Sequence, residues 1–169
     1  LDVGLYPISL SRLIAGAAIG DKFSEPKFLD AKATIGQTGV DEIAHANLEF
    51  KNGIKAKVST AIRETMKNNA VIIGSEGKIE LPDPWMPGRD GGPYHAKIII
   101  NKNENEEIVD VKGPEHLFFF EGELASQCIA KEKTEPPHPA MTWEDTLGNL
   151  KALDIWRQKV NYKLPQDEI

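Results

Sequence analysis

The sequence is short of nearly everything that nucleic-acid, metal or membrane chemistry requires. It has a single cysteine, Cys128, which excludes a disulfide framework and a thiolate metal cluster. Cys128 lies within an apolar helical pattern and reads as a buried structural residue. The four histidines, His45, His95, His116 and His138, are scattered, and no two stand at the spacing of metal ligands. Acidic residues outnumber basic ones, 26 to 20, for a net charge of −6. That balance argues against a polyanion-binding surface, because phosphate contacts need clustered Lys and Arg. The densest basic stretch, Lys51 to Lys57, alternates with apolar residues and reads as the solvated face of a strand. No apolar run reaches the length of a membrane span, and no signal peptide is visible, so a cytoplasmic protein is expected. Neither internal repeats nor low-complexity segments occur. Above all, no Gly-x-Gly-x-x-Gly turn follows any strand, and no βαβ repeat supplies a helix N-terminus for a pyrophosphate.

What is present is the composition of an ordinary globular domain. The 169 residues are 40% apolar and 27% charged, enough for one core. Residues 2–18 carry apolar side chains at helical spacing and predict a first helix ending at Gly20. Residues 28–35 give an extended segment. Ala44, Ala46, Leu48 and Phe50 then alternate with His45, Asn47 and Glu49. After Asn52-Gly53, a favoured hairpin pair, Ile54, Ala56, Val58, Thr60 and Ile62 alternate in the same way. Residues 69–74 and 78–81 predict two further strands around Gly74-Ser75-Glu76-Gly77. A Pro/Gly-rich loop at 82–93 follows, then a hairpin of 94–100 with 108–111. Leu117, Phe120, Leu124, Cys128 and Ile129 make one helical stripe. Thr142 can cap a last helix, with Asp145 in the place of the usual capping-box Glu. Along that helix Trp143, Leu147, Leu150, Leu153, Trp156 and Val160 recur as a stripe. The expected fold is α+β: an open, mostly antiparallel sheet with helices 5–18, 117–131 and 143–160 on one face.

The candidate chemistry lies at the start. Asp2-Val3-Gly4-Leu5-Tyr6-Pro7 puts a carboxylate one helical turn before a phenol, and Pro7 suits a first turn because its missing N–H costs nothing there. Read on their own, Asp2 and Tyr6 are either a cap and a packing residue or an acid–base pair. The segment from Asp2 through Ser11-Arg12 to Gly16 resembles the junction of the glucose–fructose oxidoreductase / inositol dehydrogenase (Gfo/Idh/MocA) family. Its nearest likeness is to the dihydrodiol dehydrogenase-like and sugar dehydrogenase members. The likeness continues through Thr38-Gly39-Val40-Asp41-Glu42, residues 69–79, Pro84-Trp85 and Met141-Thr142-Trp143-Glu144-Asp145-Thr146-Leu147-Gly148-Asn149-Leu150.

The resemblance covers the second half of such an enzyme, and it implies an excised C-terminal substrate-binding and oligomerisation domain (residues 1–169). The N-terminal Rossmann domain, with NAD or NADP and a catalytic Lys, would lie elsewhere. It implies catalytic roles for Tyr6 and Asp2, where many members have His in place of Tyr. A phenol with a pKa of about 10 exchanges protons poorly near neutrality, and a nearby ammonium and a helix N-terminus would both favour the phenolate. Arg12 stands as a substrate-binding candidate or as the partner of an acid on the sheet. Trp85 and Arg89, in the Pro/Gly loop, stand as groups that close over a sugar ring, or for Trp85 as a loop anchor. Glu144, Asp145 and Asp154 read as cap and surface residues.

Two function classes compete. The first is the substrate-binding domain of an NAD(P)-dependent oxidoreductase acting on a sugar, polyol or diol CH–OH group, inactive alone and binding no cofactor by itself. Its partners would be its own Rossmann domain and further copies through the open sheet face. The second is a non-catalytic assembly or regulatory module that keeps the fold. A metal-dependent hydrolase lacks ligands.

Overall fold

The computed structural model describes residues 1–88, 92–164 and 167. In chain order the elements are α1 (Leu5–Ala17), β1 (Lys27–Ile35), β2 (Asp41–Glu49), a 3-10 turn (Lys51–Gly53), β3 (Lys55–Ala61), β4 (Asn69–Gly74), β5 (Gly77–Pro82), β6 (Tyr94–Lys102), β7 (Asn105–Gly113), α2 (Leu117–Ala130) and α3 (Trp143–Lys159). Every strand pairing is antiparallel, in the orders β1-β2-β3 and β4-β5-β6-β7. The expected antiparallel α+β architecture is thereby borne out. Its strands form two sheets, because the charged stretch Arg63–Lys67 follows β3 and, among the described residues, no ladder joins β3 to β4. The chain divides accordingly into two compact units, Lys67–Thr134 and the flanking remainder.

The flanking unit is built on β2. Its alternating Ala44, Ala46 and Leu48 are buried, joined by Phe28 of β1 and Val58 of β3. The small alanines let two helices settle on this face. Ile8 and Ala15 of α1 and Ala152 and Trp156 of α3 close the core. Trp156 is fully buried and tilts against the Phe28 ring at 6.2 Å between centroids. Each large apolar side chain removed from water here stabilises the fold by about 1.5–3 kcal/mol. On the other face Asn47 donates to Asp30 at 2.9 Å and His45 meets Ser59 at 2.8 Å, while Lys55 and Lys57 are exposed as the alternation predicts. The β2–β3 hairpin closes through a three-residue turn with Gly53 at φ +77°, followed by the Phe50 N–H to Ile54 carbonyl bond of 2.7 Å.

After α1 the chain doubles back along its own helix. Asp21 N–H donates to the Gly16 carbonyl at 2.9 Å, and Ser24 N–H to that of Arg12 at 3.1 Å. A Cβ at Gly16 would stand 2.2 Å from Phe23 Cα and 2.5 Å from its nitrogen. Gly16→Ala gains about 1 kcal/mol of helix propensity, yet it must displace backbone rather than a side chain. A net loss of about 1–3 kcal/mol is expected from urea denaturation, and a stabilised variant would show that the return segment yields freely.

The strands of the Lys67–Thr134 unit form an antiparallel meander, with tight turns between β4 and β5 and between β6 and β7. Gly74 and Gly77 bracket one turn as expected, and Asn103 and Glu104, both at positive φ, form the β6–β7 turn. Ile72, Ile79, Ile98, Ile100, Val109 and Val111 share its half-buried face. His116 caps α2 by accepting from Phe118 N–H, and the Phe120 ring meets Tyr94 edge-on at 5.6 Å. Cys128 is buried, while Ile129, counted in the helical stripe, is exposed. α2 belongs to this unit, and the helices that supply the core of the β1-β2-β3 sheet are α1 and α3.

Candidate active site

The candidate acid–base pair lies at the start of α1. Leu1 to Gly4 already coil with helical sense: Gly4 N–H donates to the Leu1 carbonyl at 3.1 Å, and Gly4 has αR backbone angles. The α-helix begins at Leu5, so Asp2 precedes it and Tyr6 sits in its first turn. Pro7 is the third helical residue, where no intrahelical acceptor awaits an N–H. Asp2 is exposed and the Tyr6 ring is half exposed, at 50%. A carboxylate and a phenol therefore both lie at the start of α1, the end of a helix whose dipole favours negative charge. Ser11, one turn on, donates its hydroxyl to the Pro7 carbonyl at 2.6 Å.

Two turns into the same helix, Arg12 is wholly buried. Its Nε and Nη2 fork onto Glu25 Oε2 and Oε1 at 3.2 and 2.7 Å. Nη1 donates to the Asp145 carbonyl at 3.1 Å, to Asn149 Oδ1 at 2.7 Å, and to the Asp145 carboxylate. The Phe23 ring lies 4.8 Å from the guanidinium carbon, near enough for a cation–π contact. Asn149, also fully buried, turns its amide toward the Met141 sulfur at 3.4 Å. Gly148 makes room for the fork, since a Cβ there would stand 1.9 Å from Arg12 Nη2. Of the two roles open to Arg12, the structure places it in the ion-pair role: its donors are spent inside the fold and none faces solvent.

The sequence placed an acid partner of Arg12 on the sheet, whereas Glu25 precedes β1 and Asp145 lies on α3. Asp145, expected as a capping-box residue, accepts nothing back from Thr142 N–H among the described bonds. Its backbone N–H donates to Thr142 Oγ1 at 3.2 Å, so Thr142 caps α3 as expected, and its carboxylate serves Arg12. The inward face of α3 is Asp145, Asn149, Ala152 and Trp156. Trp143, Leu147 and Leu150, counted in the apolar stripe, are 62, 68 and 51% exposed on the other side. No motif marks this arrangement; Gly148-Asn149 in mid-helix is the sole irregularity that hints at it.

Trp85 is half-buried in the loop after β5, in the Lys67–Thr134 unit. Arg89 lies outside the described residues. Among the described residues no group of three or more His, Cys, Asp and Glu could hold a metal, and no helix is long and apolar enough to cross a membrane. Among the described residues α2 and α3 begin at side-chain caps from His116 and Thr142, and no glycine-rich turn opens α1.

An antiparallel α+β fold entered through this helix is the fold of one half of Gfo/Idh/MocA-type oxidoreductases. The chain is a relative of the dihydrodiol dehydrogenase-like members, as its order of motifs implied. It is 28% identical over 169 residues to trans-1,2-dihydrobenzene-1,2-diol dehydrogenase of Xenopus tropicalis, covering 96% of this chain and 47% of that enzyme. The same enzyme of Mus musculus is 22% identical over 174 residues, with 99% and 47% covered. The chain thus spans about half the length of the curated relatives it matches. Among solved structures, KijD10, a 3-ketoreductase from Actinomadura kijaniata in complex with NADP and TDP-benzene, superposes with a TM-score of 0.73 at 23% identity, over 95% of this chain and 45% of that one. Aldose-aldose oxidoreductase from Caulobacter crescentus, complexed with glycerol, gives 0.72 at 16% identity over 94% and 44%. No protein-family model matches the chain.

Proposed function

We propose that this chain is the C-terminal substrate-binding domain of an NAD(P)-dependent oxidoreductase that acts on the CH–OH group of a sugar, polyol or diol. The observation that carries the reading is the exposed Asp2 just ahead of α1 and the half-exposed Tyr6 in its first turn, in a relative of the diol dehydrogenases. A nicotinamide held by another part of the intact protein would supply or accept the hydride. The work of this chain is then the proton. Tyr6 protonates the alkoxide oxygen in reduction and removes the hydroxyl proton in oxidation. Asp2 accepts a hydrogen bond from a neighbouring substrate hydroxyl and fixes the ring of the sugar or diol against the phenol. The solvent-facing side of the β1-β2-β3 sheet, with Asp30, His45, Asn47 and Ser59, is the surface for a second copy in this reading.

Because the described residues hold no dinucleotide cradle, the 169-residue chain is expected to show no saturable binding of NADH or NADPH near a Kd of about 1 µM by calorimetry. The full-length protein should bind one of them and reduce or oxidise its substrate. Saturable binding to the chain alone would overturn the division of labour. A full-length protein that binds neither cofactor would leave the assembly-module reading in its place.

A further inference from the structure

We propose that α3 carries a second self-association surface, on which the same helix of another copy lies antiparallel. The helix has two apolar stripes, and only one is used. Asn149, Ala152 and Trp156 face the core, whereas Trp143, Leu147 and Leu150 line the opposite side and are each more than half exposed. Their steps of four and three residues, continued by Asp154, trace the seam of a helix pair. Exposed apolar side chains aligned over about two turns mark a contact surface, unlike single ones.

Charge identifies the occupant and its direction. Glu144 and Lys151 border the stripe on one side, two turns apart, and both are exposed. In an antiparallel pair centred between Leu147 and Leu150, Glu144 of each copy falls beside Lys151 of the other, so both flanking contacts are attractive. Leu147 then packs on the second copy's Leu150. Trp143 lies beside the second copy's Asp154, whose carboxylate can accept from the indole N–H. A parallel pair would instead set Asp154 on Asp154 and lose both Glu–Lys contacts. The surface is therefore complementary to itself under a two-fold axis, which is what an isologous contact requires. Three turns per copy fall short of the roughly 1,200–2,000 Å² of a stable interface, so the contact alone is weak.

Sedimentation velocity on the wild-type chain, from low to several-hundred-micromolar concentration, reads the mass of the assembled species. Leu147→Asp is expected to halve that mass, whether the helix contact acts alone or joins dimers made through the sheet. Glu144→Lys should weaken association about tenfold by placing Lys against Lys, and Glu144→Lys with Lys151→Glu should restore it. The double variant keeps Lys in the first turn of α3, so its recovery separates pairing from any effect of that charge on the helix itself. Far-ultraviolet circular dichroism confirms that each variant is folded. A strictly monomeric wild-type chain overturns the proposal, as does an assembly that Leu147→Asp leaves unchanged, since the sheet face alone would then account for it. A double variant no better than the single one overturns the antiparallel register.

Discussion

Arg12→Met is expected to cost the fold about 3–5 kcal/mol, the largest effect of any single substitution proposed for its stability. The methionine replaces the aliphatic stem but none of the guanidinium donors. Asp145 and Asn149, drawn inward by Arg12, are left with acceptors that water reaches poorly: Asn149 is fully buried and the Asp145 side chain is 14% exposed. Glu25 is less affected, because its side chain is 55% exposed and rehydrates readily. Against a total stability of about 5–15 kcal/mol for an ordinary domain, the loss brings the variant close to unfolding. Arg12→Lys should recover only part of it, since an ammonium cannot fork onto Glu25 while reaching α3. Urea denaturation of the two variants measures both effects. An Arg12→Met chain within about 1 kcal/mol of wild type would show that the cluster relaxes into solvent and does not tie α1 to α3.

Tyr6→Phe, in the full-length protein, is expected to lower kcat by about 10²–10⁴-fold with little change in KM. The ring packs alike in both enzymes and binds the ground state equally. The hydroxyl matters only as the proton moves, so its loss is felt in the transition state. Asp2→Asn should act differently, raising KM more than it lowers kcat, because a substrate hydroxyl still finds an amide acceptor but not a charged one. Steady-state kinetics on the preferred sugar or diol separates the two patterns. Near-normal turnover of Tyr6→Phe would return the phenol to a packing role and move the acid to another part of the protein.

The two predictions draw on features of unequal legibility. The β2–β3 hairpin was plain from alternation, because Ala44, Ala46, Leu48 and Val58 face the core while His45, Asn47, Lys55 and Lys57 face away. Helix limits were within a few residues, since Thr142 and Pro7 are local signals read by their own neighbours. Spacing put Asp2 and Tyr6 on one helical turn, whereas the α-helix starts at Leu5 and leaves Asp2 in the turn that leads into it. Arg12 could not be resolved in the same way, because its partners lie 13, 133 and 137 positions away. Periodicity also misled at α3. It pooled Trp143, Leu147 and Leu150 with Trp156, although a helix with two apolar sides offers no internal clue to which faces inward. The polar residues Asp145 and Asn149 decided it, through a charge on another helix.

The discontinuity of the flanking unit has a consequence for biogenesis. Its sheet and first helix are made early, yet Ala152 and Trp156, which seal the core, emerge only after the whole Lys67–Thr134 unit. That inserted unit is continuous and stitched from neighbouring hairpins, so it has the short-range connectivity of a fast folder. The nascent chain must therefore hold the part of the sheet beside β1, which α3 covers, open while a later segment matures first. During that interval Phe28 is the apolar surface a ribosome-associated chaperone would meet, and the window closes when Trp156 reaches it.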